Sequence, residues 1–342
     1  MKTDVQKLTA ADGPEQYARA AALLRAGEVV AMPTETVYGL AANAYDSAAV
    51  KKIFEAKGRP QDNPLIVHIA SFDELAPLTA GVPAAAERLA ARFWPGPLTM
   101  VLPKSDKIPD VVTAGLSTVA VRCPSHPVAN RLIREAGVPL AAPSANLSGK
   151  PSPTRAEHVV RDMNGRVPLI LDGGPCEEGV ESTVLLLASD VPRVLRPGNV
   201  TVDQLRSVLG RVDVDDAVLH PLANGAEAAS PGMKYKHYSP DAEIIIVRGD
   251  YRDFVAYVNS AACDGTWAMV FEGEGEGLAV PYMIWGNDDY RSMSRRLFDD
   301  LRSLDEKGAR RCFVRCPETD NSDNLAVLNR LLRAAAFRVV DV

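Results

Sequence analysis

The chain is short of several features that would narrow its chemistry at once. Of its 342 residues only 6% are aromatic and five are cysteine, at 123, 176, 263, 312 and 316. An odd number of scattered cysteines argues for reduced thiols in a cytoplasmic protein rather than a disulfide framework. Cys312 and Cys316 sit four apart in RCFVRC, which reads as a strand, and no second pair lies near them. No protein-bound metal site is expected there. No run approaches the ~20 apolar residues that a membrane-crossing helix needs. The polar opening MKTDVQKLTAADGPEQ has no apolar stretch and is not expected to be a signal peptide. Positive charge is not in surplus either. A net charge of −6 argues against a general binder of nucleic acid or anionic membranes, while leaving room for a local basic cleft.

Familiar catalytic signatures are missing too. SGKPS contains GK, but proline follows and the upstream glycine of a phosphate loop is absent. EGEGEG places glycines at 273, 275 and 277, yet Leu278 stands where a dinucleotide fingerprint needs its third glycine. There is no HExxH and no GxSxG, and the five histidines do not cluster. These gaps exclude a P-loop enzyme, a zincin and a serine hydrolase of the usual kinds.

What is present is alternation. At 342 residues and 46% hydrophobic content, the chain is long enough for two cored domains. Asp12 is expected to cap a helix through EQYARAAALLRA, which Gly27 would end. EVVAMPTE then reads as a strand, DSAAVKKIFEAKG as a second capped helix and PLIVHIA as the next strand. PLTMVLP, STVAVRCP, PLAAPSA, PLILDGG, ESTVLLLA and RVLRPG follow as strands, with helices such as AAAERLAARFW and HPVANRLIREAG between them. This predicts an α/β domain over 1–210, built on a twisted, open, mixed sheet with flanking helices. From 211 to 242 the pattern fails, which predicts a linker. It resumes at EIIIVRG and predicts a smaller, Rossmann-like α/β domain over 243–342.

Polar segments fall where strands of the first domain end, the edge at which α/β sheets bind ligands. In PTETVYGL, Thr34 and Thr36 share one side of an extended segment, and Gly39 permits an unusual turn. In KGRPQDNPLIVHI, Lys57 and Arg59 close a helix, and Arg59, Asn63 and His68 flank a strand. A guanidinium there suits a phosphate or carboxylate, although a cation at a helix C-terminus can also simply oppose the helix dipole. WPGPLT reads as a rigid lead into a strand. Arg122 ends STVAVRCP. APSANLSGKPSP carries Ser144, Asn146, Ser148 and Ser152 among prolines and a glycine, a composition suited to an anion nest. Ser182 begins the strand after GGPCEEG, and Arg196 ends another. Together these supply cations and neutral donors with no obvious nucleophile. That inventory suits phosphoryl or nucleotidyl transfer, where catalysis is mainly positioning and charge stabilisation.

PTETVYGL, KGRP with NPLIVHI, WPGPLT, VAVRCP, APSANLSG, GGPCEEGVESTV and RPG, in this order, resemble the YrdC-like family of L-threonylcarbamoyladenylate synthases. SPGMKYKHYSP followed by a smaller domain resembles the long, two-domain form. The resemblance implies an enzyme that makes L-threonylcarbamoyladenylate and pyrophosphate from L-threonine, bicarbonate and ATP. Its product would pass to a transferase complex that modifies tRNA next to the anticodon; stable direct tRNA binding by this chain is not expected. The resemblance assigns Thr36, His68, Arg122 and Ser182 to L-threonine, with a bidentate grip by Arg122 on its carboxylate. It assigns Lys57, Arg59, Asn63, Thr118, Ser144, Ser152 and Arg196 to ATP, with Thr34 and Asn146 as neighbours. Mg²⁺ would ride on the ATP phosphates. Lys234, Tyr235, Lys236 and His237 in SPGMKYKHYSP are candidates for a lid, with Tyr238 beside them. The rival expectation is a non-catalytic RNA-binding or ribosome-assembly protein that uses the concave surface.

Overall fold

The structure, a computed structural model, describes residues 2–220, 237–287, 289–318 and 322–342. Two sheets organise the described residues. The larger has 11 strands, in the spatial order Asp4–Lys7, Leu169–Asp172, Val30–Met32, Gly39–Asn43, Leu140–Ala141, Ile66–His68, Thr118–Arg122, Leu98–Pro103, Thr183–Leu186, Arg193–Arg196 and Asp213–Val214. Its pairs are mixed in direction, which fits the expected open mixed sheet. The smaller sheet has five strands, in the order Tyr282–Gly286, Thr266–Phe271, Arg311–Arg315, Glu243–Arg248 and Val339–Asp341, all parallel. No helix among the described residues is long and apolar enough to cross a membrane.

Local sequence explains most boundaries. Asp46 caps the helix Ser47–Lys57 by accepting hydrogen bonds from the backbone N–H groups of Ala48 and Ala49. Gly58 ends it in the left-handed conformation, at φ 61°. Thr201 and Gln204 form a reciprocal capping box on the helix Val202–Leu209. The first helix departs from expectation. It runs Pro14–Arg25 with Gly13 at its N-cap, while the Asp12 carboxylate turns back to the Thr9 N–H and hydroxyl. Gly39 does not make a turn; it opens a strand and bridges to Ser144. A Cβ on Gly39 would stand 3.3 Å from that of Ala142, so a close strand approach is what needs glycine there. The polar opening residues Asp4–Lys7 pair in parallel with Leu169–Asp172 as an edge strand. Asp213–Val214, just beyond residue 210, pair with Arg193–Val194 and extend the large sheet.

The two faces of the large sheet differ in chemistry. Strand residues alternate between faces. Val67, Val119, Val121, Leu98, Met100, Leu102, Leu185 and Val194 all enter the main core beneath the flanking helices. Their neighbours Ile66, Val101, Ala120, Val184 and Leu195 form a separate, small apolar floor on the opposite face. The functional candidates stand on that floor.

Candidate active site

Register alone gathers the central side chains. Ile66–His68 and Thr118–Arg122 are parallel, with His68 opposite Arg122. Leu98–Pro103 runs antiparallel to the second of these and places Thr99 opposite Arg122. Thr183 pairs with Leu98, so Ser182 arrives beside Thr99, and their hydroxyl oxygens lie 2.8 Å apart. Arg196 needs one more device. By simple alternation it would follow Val194 into the core, but a bulge between Val194 and Arg196 sets Arg196 opposite Val184, a residue of the site floor. Arg196 Nε then donates to the Ser182 carbonyl at 3.1 Å and Nη2 to the Ser182 hydroxyl at 3.2 Å.

These residues surround a cavity of about 60 Å³ lined by Thr34, Thr36, Arg59, His68, Arg122, Ser144, Glu181, Ser182, Arg196, His237 and Tyr238, among others. Every expected threonine-site residue lines it, as do Arg59, Ser144 and Arg196 of the expected ATP set. Four expected ATP residues do not. Lys57 is buried beside it, its ammonium donating to the carbonyls of Ser144 and Asn146. Ser152 is fully buried with its hydroxyl donated to Glu181. Asn63 is fully buried, and its amide has no hydrogen-bond partner among the described residues. Thr118 shares the face of Arg122 but stands at the far end of the same strand. Of the lid candidates, Lys234, Tyr235 and Lys236 lie outside the described residues, and His237 lines the cavity.

Arg122 is paired within the fold, and its Nε also points to the Gly96 carbonyl at 3.4 Å. It is 3% exposed, and Nη2 stands 2.7 Å from a Glu35 oxygen, while Nη1 donates to the Thr36 hydroxyl at 2.8 Å. Burial would raise the Glu35 carboxyl, but the Arg122 charge and hydrogen bonding hold it below its ordinary value. The pair is therefore ionised and internally neutral. Arg122 meets a ligand with N–H groups rather than net charge. Thr34 accepts from the Val37 N–H at 3.3 Å and lies 2.9 Å from the Thr36 hydroxyl, so the two threonines do share one side.

The remaining titratable groups are shaped by burial. His68 is pushed down to about 3, first by desolvation and then by the Arg122 charge, so its imidazole is neutral at physiological pH. Arg196 is lowered to about 10 by burial, and Lys57 is lowered by the same cause. Desolvated cations held by carbonyls attract an anion strongly, because little water must be removed when it binds. Glu181 is the one carboxylate among the described lining residues, and Arg330 and Ser152 already occupy it. Among the described residues there is no carboxylate cluster for a metal.

A larger cavity of about 810 Å³ lies between the helices Ala84–Phe93 and Pro127–Ala136, beside Trp94. Several of its polar groups are spent on the fold. Trp94 Nε1 donates to the Leu98 carbonyl at 2.6 Å, and Asn130 and Arg134 donate to the Ala70 carbonyl. This accords with WPGPLT as a structural lead into its strand.

Residues 22–198 match the family Sua5_yciO_yrdC, described as "Telomere recombination". The chain belongs to the Sua5/YciO/YrdC family. Residues 200–336 also match "Threonylcarbamoyl-AMP synthase, C-terminal domain", so it is a two-domain member. It is 48% identical to the threonylcarbamoyl-AMP synthase of Bacillus subtilis, over 95% of this chain and 94% of that one. To the Pyrococcus abyssi enzyme of the same name it is 45% identical, over 94% of this chain and 95% of that one. The crystal structure of P. abyssi Sua5 complexed with L-threonine superposes with a TM-score of 0.91 at 43% identity, covering 99% of both chains.

Three contributors were not singled out in sequence. Glu35 sits between the two site threonines, in a bend, and meets the same Arg122 guanidinium as Thr36. Glu181 immediately precedes Ser182. Arg330 lies in NLAVLNRLLRAA, a helix otherwise read as apolar packing. An arginine within a helix buried nearly all round was the available signal.

Proposed function

We propose that this protein is a threonylcarbamoyl-AMP synthase, with the active site at the cavity bounded by Thr36, His68, Arg122, Ser182 and Arg196. The carrying observation is the set of buried cations and hydroxyls that strand register brings together over the site floor. Relatives of that name align over nearly the full chain, and L-threonine is the ligand in the P. abyssi complex. The L-threonine amine combines with bicarbonate to give a carbamate and water. A carbamate oxygen attacks the α-phosphorus of MgATP, and pyrophosphate leaves with the electrons of the broken P–O bond. The carbamate is already anionic, so this step needs no side-chain nucleophile. What the protein must supply is charge neutralisation, in-line alignment and exclusion of water from a labile mixed anhydride.

Thr36, His68, Arg122 and Ser182 hold L-threonine. The Arg122–Glu35 pair keeps that end of the site neutral, and the uncharged His68 ring keeps it from repelling the amine. Arg59, Ser144 and Arg196 meet the phosphates, with Lys57 supporting Ser144 from behind. Asn63, Thr118 and Ser152 lie outside the closed cavity and would reach the nucleotide only once the cover withdraws; Mg²⁺ would be carried on its phosphates.

A cavity of about 60 Å³ is too small to hold a nucleotide. His237 and Tyr238 cover it. The Tyr238 backbone stands at φ 66°, a left-handed conformation that costs a non-glycine residue of order 1 kcal/mol. Ser239 is tied on both sides, to the Gly149 carbonyl at 2.9 Å and the Ala334 carbonyl at 2.8 Å. His237 and Tyr238 therefore act as a lid that withdraws to admit MgATP and closes to shed water. The product passes to a tRNA threonylcarbamoyl transferase complex in the cytoplasm, in keeping with five unpaired cysteines. A covered cavity on a chain of net charge −6 does not favour RNA binding as the function.

The test is pyrophosphate release from MgATP with L-threonine and bicarbonate each left out in turn. Release that requires both supports the reading; release indifferent to either one sinks it.

A further inference from the structure

The second domain reaches into the active site through one buried side chain. Arg330, on the helix Leu325–Ala334, is 0% exposed although it is an arginine. Its Nε donates to Glu181 Oε2 at 2.8 Å, and Nη2 donates to the Glu181 carbonyl at 3.2 Å. Its Nη1 donates to the Pro197 carbonyl at 2.7 Å, and the guanidinium lies 6.0 Å from the Tyr238 ring centre. One fork thus grips two segments of the first domain, the one before Ser182 and the one after Arg196. Those segments already touch. A Cβ on Gly198 would come within 2.7 Å of the Glu181 carbonyl, so the pair can be fastened together but not spread by a side chain. The other Glu181 oxygen accepts the Ser152 hydroxyl. The same loop is docked further upstream, where Arg295 Nε donates to the Glu177 carbonyl at 2.8 Å.

Glu181 has two cations to choose from. Arg330 holds it by direct contact and Arg196 lines the same cavity and acts on its charge, with Lys57 and the rings of His237 and Tyr238 also within its electrostatic reach. While Arg330 holds the carboxylate, Arg196 remains on Ser182, aimed at the cavity. Without Arg330, a buried carboxylate would need another partner, and Arg196 is the nearest of the remaining cations in effect. The cation assigned to the phosphates would then be neutralised by its own neighbour.

We propose that Arg330, supplied by the second domain, is a positioning residue for the substrate site: it holds Glu181 away from Arg196 and fixes the segments that carry Ser182 and Arg196. This rests on the function proposed above. It also gives the second domain a role in the chemistry of the first without any contact to substrate.

The test is kinetic and uses the full chain. Arg330→Met is expected to raise KM for MgATP about 10- to 30-fold, equivalent to one to one and a half powers of ten in affinity. Adding Glu181→Gln removes the competing carboxylate, so Arg330→Met/Glu181→Gln is expected to regain KM to within about 3-fold of the starting protein. A purely structural role predicts that KM for L-threonine rises and recovers in step with that for MgATP, whereas competition for Arg196 moves the MgATP KM more. A double variant no better than Arg330→Met overturns the proposal, as does an unchanged KM in Arg330→Met. Should Arg330→Met not fold, Arg330→Lys decides. It keeps the charge but loses the fork to Pro197, so a KM raised about 3-fold supports the proposal and an unchanged KM overturns it. Wild-type protein that releases pyrophosphate only with L-threonine and bicarbonate secures the underlying reading independently. Wild-type protein that neither turns over nor binds MgATP in calorimetry overturns both.

Discussion

The carboxyl ends of the two sheets can be set side by side. Both sheets have parallel strands that finish in arginine: Arg122 and Arg196 in the large sheet, Arg248 and Arg315 in the small one. At the large sheet these arginines border a cavity and spend their hydrogen bonds on hydroxyls and carbonyls of the cavity wall. At the small sheet Arg248 is exposed, and Arg315 is packed into the fold. Arg315 lies over Tyr251, Phe254 and Phe271 at 5.4–5.9 Å, pairs with Glu274 at 3.1 Å and donates to the Gly249 carbonyl at 2.7 Å. Glu274 is held in turn by the Phe271 N–H, and the Tyr251 hydroxyl accepts from the Gly275 N–H. A cation at a strand end thus has two fates. Stacked on rings and paired, it is mortar. Backed by hydroxyls, with its counter-charge placed behind it, it is a binding group.

The sharpest way to break this contrast is Arg122→Ala. It strands the buried Glu35 carboxylate, and losing one partner of such a pair costs about 3–5 kcal/mol. Urea unfolding should register that loss, and Glu35→Gln in the same background should recover most of it. If Arg122→Ala is as stable as the parent, the pair is not holding this end of the site. Arg196→Ala comes next. Losing a charge-assisted contact worth about 1.5–3 kcal/mol should weaken MgATP binding more than L-threonine binding in calorimetry. Equal losses on both ligands would erase the proposed division of the cavity.

The third prediction concerns pH. The folded His68 titrates near 3, below its unfolded value of about 6.5. Between those values the unfolded chain binds a proton that the folded chain does not. Stability is therefore unaffected by His68 above pH ~6.5 and falls as pH drops, by up to about 1.4 kcal/mol per pH unit. His68→Gln should flatten that part of the stability–pH curve; an unchanged slope would mean that the ring is not held neutral. The smallest kinetic effect belongs to Arg315→Ala. It should cost about 1–2 kcal/mol of stability through lost stacking and pairing while leaving kcat/KM for both substrates as it was. A kinetic defect there would make the two strand ends alike after all.

Much of the site was legible because its residues sit at strand ends in short polar segments, a pattern that local sequence exposes. Thr36, His68, Arg122, Ser182 and Arg196 were all readable in this way; Thr34 and Thr36 do meet, but through a bend at 35–37 rather than by alternation along an extended segment. The second sheet was readable too, since EIIIVRG and RCFVRC are compact apolar runs. What escaped depends on distant partners. Nothing local marks Glu35 as the counter-ion of Arg122, 87 positions away, and nothing local ties Arg330 to Glu181 across 149 positions. The bulge that turns Arg196 toward the cavity is likewise set by its partner strand. Asp4–Lys7 escaped for a different reason: an edge strand of four residues with one hydrophobic side chain carries too little pattern to stand out.

The contrast between the two strand ends comes down to one titration. L-threonine is titrated calorimetrically into the parent protein, Arg122→Ala and Arg315→Ala, each first verified as folded by near-UV circular dichroism. The account predicts binding to the parent and to Arg315→Ala with the same affinity, and none detectable to Arg122→Ala. Equal binding to both variants, or loss only in Arg315→Ala, would contradict it.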